Sequence, residues 1–190
     1  MRERLREALC RSTADYAEIR FEEEDGSHIA FRGPEAEAVG SHRFRGGMVR
    51  ACTRGGWGEA TFDAVEELDE RVAQACACAA EVGQDETALA PVDPVDAEAP
   101  ARLEHDFRGV PLDEKLKQVV AYNELILGAD PRIASSGVSY TDAFRRVHYA
   151  NSEGASFLEE RPRLVLRATA VAREDRLVQY ATESVSSAKT

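Results

Sequence analysis

The run from Gly46 to Asp63, GGMVRACTRGGWGEATFD, constrains the fold more than any other part of the chain. Two alternating pieces, Met48 to Arg54 and Trp57 to Phe62, flank a Gly-Gly pair. The central residues of a primed two-residue turn need φ > 0, which glycine adopts without steric cost. The pair therefore predicts a tight hairpin. Its second arm carries the only tryptophan of the chain. Asp63 follows as a candidate N-cap, because a short carboxylate accepts from the first free N–H groups of a helix.

Around this hairpin the hydrophobic pattern switches between helical and strand periods. Residues 2–12 read as a short helix with Leu5, Ala8 and Leu9 on one stripe. Asp15 to Glu22 alternates, with Ala17, Ile19 and Phe21 facing one way, as a half-buried strand does. Glu23-Glu24-Asp25-Gly26 reads as a solvated acidic turn. His28 to Arg32 reads as a second strand ended by Gly33-Pro34, and Glu35 to Phe44 as a third. Asp63 to Val82 predicts a strong helix, with Val65, Leu68, Val72, Ala75, Cys76 and Ala79 on one face. Residues 84–110 hold Pro91, Pro94 and Pro100 and several Asp and Glu, so they read as a surface connector.

Pro111 to Gly128 predicts the second main helix. Its apolar face is broad: Leu112, Leu116, Val119, Val120, Tyr122, Leu125, Ile126 and Leu127. Asp113 and Glu114 in its first turn suit the helix dipole. Strands then return. Ile133 to Thr141 comes first, with a turn at Asp142-Ala143, then Phe144 to Ala150. The Asn151–Gly154 turn leads to Ser156–Glu160, which Pro162 interrupts. Arg163–Arg173 and Arg176–Thr182 are the last strands, and a Ser-rich tail begins at Glu183. The expected fold is α+β: an antiparallel sheet of short strands and hairpins packed by two main helices.

Composition narrows the function. The chain has 190 residues, 43% of them hydrophobic, and a net charge of −11. That is enough apolar material for a core, on a surface that repels nucleic acid and anionic membranes, so neither is an expected partner. No window approaches the ~20 apolar residues of a membrane span, and the N-terminus lacks the apolar stretch of a signal peptide. The expected location is the cytoplasm, with Cys10, Cys52, Cys76 and Cys78 reduced and mostly buried. Cys76 and Cys78 sit two apart on a helix and point to different faces, a poor metal pair. None of the four histidines begins a His-Glu-x-x-His motif, and neither Gly-x-Ser-x-Gly nor a phosphate loop is present. The residues by themselves name no catalytic group and no metal ligand. They leave open a non-catalytic scaffold or a stand-alone binding or dimerisation module.

Four pieces in order resemble a known family. They are Asp15 to Arg20, Gly46 to Ala51, Gly56 to Thr61, and Arg146 to Gly154 with its Asn-Ser-x-Gly turn. Together with the first helix they resemble the N-terminal domain of TldD/PmbA proteins, from about residue 1 to the chain end. Glu59 departs from the pattern, which usually has an aromatic there. The resemblance implies that residues 1–185 are that N-terminal domain, with 84–110 as its connecting segment. Residues 186–190 would be a polar tail leading to a C-terminal catalytic domain. It further implies a zinc metallopeptidase whose ligands, a His-Glu-x-x-x-His motif and a downstream Cys, have no counterpart in this chain. No cofactor is expected in the chain itself, which is expected to be inactive alone. The implied partners are a peptide substrate and either a second copy or a TldD–PmbA-type heterodimer partner. Arg50, Trp57 and Asn151 are the candidate cavity-facing residues, and sheet packing is the competing role for Arg50 and Trp57.

Overall fold

A computed structural model describes residues 1–86 and 89–189. Thr87 and Ala88 of the expected connector and Thr190 of the expected tail lie outside the described residues. Among the described residues the order is α1 (Arg2–Leu9), β1 (Tyr16–Arg32), β2 (Glu35–Thr53), β3 (Gly56–Phe62), α2 (Leu68–Val82), β4 (Asp96–Ala99), α3 (Leu112–Leu127), β5 (Ile133–Asn151), β6 (Ser156–Glu174) and β7 (Leu177–Ser187). The strands follow the order β3-β2-β1-β5-β6-β4, and β7 pairs with β6. Strands β2–β3 and β6–β7 are antiparallel, while the short β4 runs parallel to β6. The fold is α+β.

The strands are longer than local turn chemistry suggests. Glu23 to Gly26 does not turn; β1 runs straight through it. Side chains on the neighbouring strand bond its carboxylates. Glu24 Oε1 lies 3.1 Å from His42 Nε2, and Arg43 Nε donates to Asp25 Oδ1 at 2.5 Å. Asp142-Ala143 likewise lies inside β5, and β7 continues to Ser187 instead of ending at Thr182. Pro162 does not interrupt β6. It falls between the stretch paired with β4, Ser156 to Glu159, and the stretch paired with β7, Leu164 to Glu174. A missing N–H costs no ladder bond on that edge.

The expected hairpin forms, shifted by one residue. Thr53 pairs with Gly56, which leaves Arg54-Gly55 as the two-residue loop, with φ of 47° and 75°. Gly56 is needed for a different reason: a Cβ there would lie 2.4 Å from the Gly83 nitrogen at the end of α2. Asp63 does not cap α2. Ala64 is extended, a 3₁₀ turn at Val65–Glu67 follows, and α2 starts at Leu68 with no side-chain cap.

The chain divides into two compact units, each with its own core. The first comprises Met1–Glu23, Phe44–Pro100 and Arg145–Glu160. Its core is one contiguous apolar cluster built from Leu5, Ile19, Phe21, Val49, Phe62, Leu68 and Val72, among others. Strand β3 buries every second residue, Gly56, Gly58, Ala60 and Phe62. A Cβ on Gly58 would meet the Ala75 carbonyl of α2 at 2.2 Å, so glycine and alanine let helix and strand backbones approach. The connector is tied down where β4 begins: Asp96 accepts from Arg2 and Arg6 of α1, and Glu98 accepts from Arg2 at 2.9 Å.

The second unit comprises Glu24–Arg43, Ala101–Phe144 and Arg161–Thr190. Among the described residues its buried apolar cluster comprises Ile29, Val119 and Val138, with Phe31, Leu116, Ile126 and Leu166 packed partly against it. The broad apolar face expected on α3 is buried only in part: Val119 is buried, Leu112, Leu116, Val120, Ile126 and Leu127 are half-buried, and Tyr122 and Leu125 are exposed. The buried residues of the helix are Lys115, Val119 and Asn123, one stripe at i, i+4 and i+8, while Leu125 is 71% exposed. The two polar members of that stripe are buried because they are bonded. Lys115 Nζ donates to Asp142 Oδ2 at 2.6 Å, and Asn123 Nδ2 to the Gly33 carbonyl at 2.7 Å. Strand β7 is exposed along almost its whole length.

Candidate functional site

The candidate residues Arg50, Trp57 and Asn151 come together on one cleft of about 440 Å³ in the first unit. Period-two alternation puts them there. Ala17 and Ile19 of β1, Val49 and Ala51 of β2, and Gly58 and Ala60 of β3 are buried. Their neighbours Tyr16, Glu18, Arg50, Trp57 and Glu59 therefore project from the opposite face. In the β2–β3 register Arg50 sits opposite Glu59 and diagonal to Trp57. Tyr149 and Asn151 at the end of β5, Phe157 of β6, and Leu89, Val92 and Val95 of the connector complete the lining.

Glu18 is the hub of the cleft. Its Oε2 accepts from Tyr16 and Tyr149 hydroxyls, both at 2.8 Å, and its Oε1 accepts from Arg50 Nη1 at 3.2 Å. Burial and the adjoining Tyr16 and Glu18 push the Tyr149 phenol well above its ordinary value, and burial raises Tyr16 as well. Both phenols stay protonated at neutral pH and act as donors. Arg50 also donates from Nε to Glu59 at 2.9 Å, and its guanidinium lies 4.7 Å from the Trp57 ring centre, a cation–π contact. Trp57 meets Tyr16 edge-on at 6.0 Å, and Tyr149 stacks on Phe157 at 4.8 Å. Trp57 remains 37% exposed toward the cleft side of the sheet. Glu59 thus has a physical role at the position where the sequence departs from the family pattern: it holds Arg50.

Asn151 is first a turn former. Its Oδ1 accepts from Glu153 and Ala155 backbone N–H groups, at 3.1 and 2.8 Å, and Gly154 takes φ 95°. Its Nδ2 faces the Tyr16 hydroxyl at 3.5 Å. Sequence reasoning missed Glu18, Tyr16, Tyr149 and Phe157. The alternation that buries Ala17 and Ile19 did place Tyr16 and Glu18 on a polar face. What it did not reveal is that β5 lies beside β1.

The second unit holds a different polar cluster. Ser27 Oγ donates to Asp142 at 2.8 and 2.9 Å, accepts from Lys115 Nζ at 3.0 Å, and Tyr140 OH donates to Asp142 Oδ2 at 2.6 Å. A serine beside a lysine suggests a nucleophile and its base. Here the lysine is ion-paired with a buried carboxylate and donates to Ser27, so it meets the serine as a hydrogen-bond donor and not as a base. The cluster is a structural lock.

Among the described residues no group of three or more His, Cys, Asp or Glu is arranged to hold a metal ion. The imidazoles are dispersed: His28 bonds Thr141, His42 faces Glu24, and His148 faces Glu23 at 3.6 Å. These donors do not fit a zinc ion, and no metal chemistry is derived from them. Of the four free cysteines, Cys52 and Cys76 are buried while Cys10 and Cys78 are exposed, so half of them, and not most, lie inside. No described helix is long and apolar enough to cross a membrane. The cleft offers shape, aromatic faces and fixed charges.

Comparison with known proteins gives the following. Family models described as PmbA/TldA metallopeptidase domain 1 and PmbA/TldA metallopeptidase central domain match residues 17–79 and 105–189. The chain is 36% identical over 177 residues to a metalloprotease of Synechocystis, covering 93% of this chain and 38% of that protein. It is 26% identical over 175 residues to a metalloprotease of Methanocaldococcus jannaschii, again covering 38% of it. The chain therefore spans well under half the length of these curated relatives. The solved structure of TldE from Thermococcus kodakarensis superposes with a TM-score of 0.81 over 97% of this chain and 42% of that one, at 16% identity, a likeness of fold.

Proposed function

Because this chain belongs to the TldD/PmbA metallopeptidase family, we propose that it supplies the substrate-enclosing, non-catalytic part of a metallopeptidase that acts on peptides. In this reading residues 1–185 form a wall of the cavity. The zinc-dependent chemistry belongs to a C-terminal part of the protein. The working unit is a dimer, either of two copies or of this chain with a related family member, and it acts in the cytoplasm. One observation supports the assignment of the wall: Arg50, Trp57 and Asn151 share a cleft with three further aromatic rings and a hydrogen-bonded carboxylate. Such a surface is suited to an extended peptide, with aromatic faces for apolar side chains and a few fixed polar groups for orientation.

The test is kinetic. In the protein extended to the full length of its relatives, Trp57→Ala should raise KM for a peptide substrate about tenfold and leave kcat nearly unchanged, since a binding wall contributes equally to ground and transition states. The 190-residue chain alone should show no zinc-dependent turnover. An unchanged KM, or turnover by the short chain, would sink the reading.

A further inference from the structure

The charges of the cleft point to the kind of peptide it selects. Its lining carries three carboxylates, Glu18, Asp93 and Glu153, and one cation, Arg50. Glu18 is paired with Arg50, which Glu59 shares. Asp93 lies on the connector and Glu153 in the β5–β6 turn, both exposed. Among the described residues neither carboxylate makes an ion pair or a side-chain hydrogen bond. The lining also carries apolar and aromatic surfaces: Trp57, Phe157, Leu89, Val92 and Val95. The cleft thus combines apolar and aromatic surface with two unpaired carboxylates, in a chain of net charge −11.

We infer that the cleft selects peptide segments in which an apolar or aromatic residue is flanked by basic ones. The apolar side chain lies against Trp57 and Phe157, and the flanking lysine or arginine groups meet Asp93 and Glu153. The inference rests on reading the cleft as the peptide-holding wall and adds its sequence preference. The net negative field of the chain speeds the approach of such a segment and repels an acidic one. Two partly exposed ion pairs of ordinary strength combine to about a tenfold preference over a neutral peptide.

Trp57, as the sole tryptophan, reports directly on occupancy. The chain is titrated, with Trp57 emission as readout, against three end-blocked hexapeptides sharing a Leu-Phe centre and flanked by arginine, serine or glutamate. The expected order is arginine tighter than serine by about tenfold, with glutamate weakest and the arginine advantage shrinking at 1 M salt. Asp93→Asn combined with Glu153→Gln should erase the arginine advantage and leave the serine peptide's affinity unchanged. Equal affinity for all three peptides would overturn the charge preference while the cleft reading survives. No saturable change with any peptide would overturn both.

Discussion

The two units reach stability by different means. In the first, sixteen buried residues form one apolar cluster in which α2 lies on β3 through glycine and alanine. In the second, the buried apolar cluster among the described residues comprises Ile29, Val119 and Val138, and the helix is fixed by Lys115 and Asn123, which bond Asp142, Ser27, Gly33 and Ser136. An apolar core tolerates change in proportion to the volume lost. A buried polar lock is intolerant of losing one partner, because the other is left desolvated and unpaired. The first unit carries the open, aromatic cleft beside its apolar core; in the second, buried hydrogen bonds fix α3.

The largest effect should come from breaking the lock. Asp142→Ala leaves the Lys115 ammonium buried without its partner and should cost about 3–5 kcal/mol in urea unfolding. Replacing both groups at once, Asp142→Leu with Lys115→Met, removes the unpaired ammonium and should recover part of that loss, because the Ser27 N–H and hydroxyl and the Tyr140 hydroxyl still lose their acceptor. A double variant as unstable as the single one would show that the site is needed for more than charge compensation. In the first unit Leu68→Ala should cost about 2–5 kcal/mol, graded by the cavity left. Asn123→Ala frees the Gly33 carbonyl and the Ser136 hydroxyl, and should cost about 1–3 kcal/mol. At the other extreme, Leu125→Ala should stay within about 0.5 kcal/mol, since this residue of the expected apolar face is exposed.

Acid separates the units again. Burial lowers the His148 pKa in the first unit, against the opposing pull of Glu23, and its Nδ1 has no hydrogen-bond partner among the described residues. A histidine held below its unfolded value resists the proton that the unfolded chain accepts. Its contribution is complete above pH ~6.5 and is lost as pH falls through the folded value. His148→Leu should flatten the pH dependence of stability in that window. In the second unit the Arg132 guanidinium holds Asp130 at about 2. The contribution of that pair is complete above the ordinary carboxylate value and is lost only as pH falls toward 2. Stability melts recorded from pH 7 to 3 should therefore lose the His148 contribution first.

Much of this organisation was legible in the residues, for local reasons. The stripe of Leu68, Val72, Ala75 and Ala79 marked α2, Asn151 to Gly154 marked its turn, and the Gly-Gly pair marked the hairpin to within one residue. The continuity of β1 through Glu23–Gly26 and of β5 through Asp142 was not legible. Turn-prone residues stay extended there because partners distant in sequence, His42, Arg43, Ser27 and Lys115, bond their carboxylates. The same limit applied to the site. Arg50 and Trp57 lie on adjoining hairpin arms, whereas Glu18 and Tyr149 meet only because β5 packs beside β1 after more than a hundred residues of intervening chain.

The central claim is that the first unit carries the binding surface and the second is a locked frame. Backbone hydrogen exchange with and without the arginine-flanked hexapeptide tests it most directly. Added peptide should slow exchange in the connector around Val92–Val95 and in the Asn151–Phe157 turn, and leave α3 and the Val138–Asp142 part of β5 unchanged. Protection of α3 with none at the cleft would contradict it.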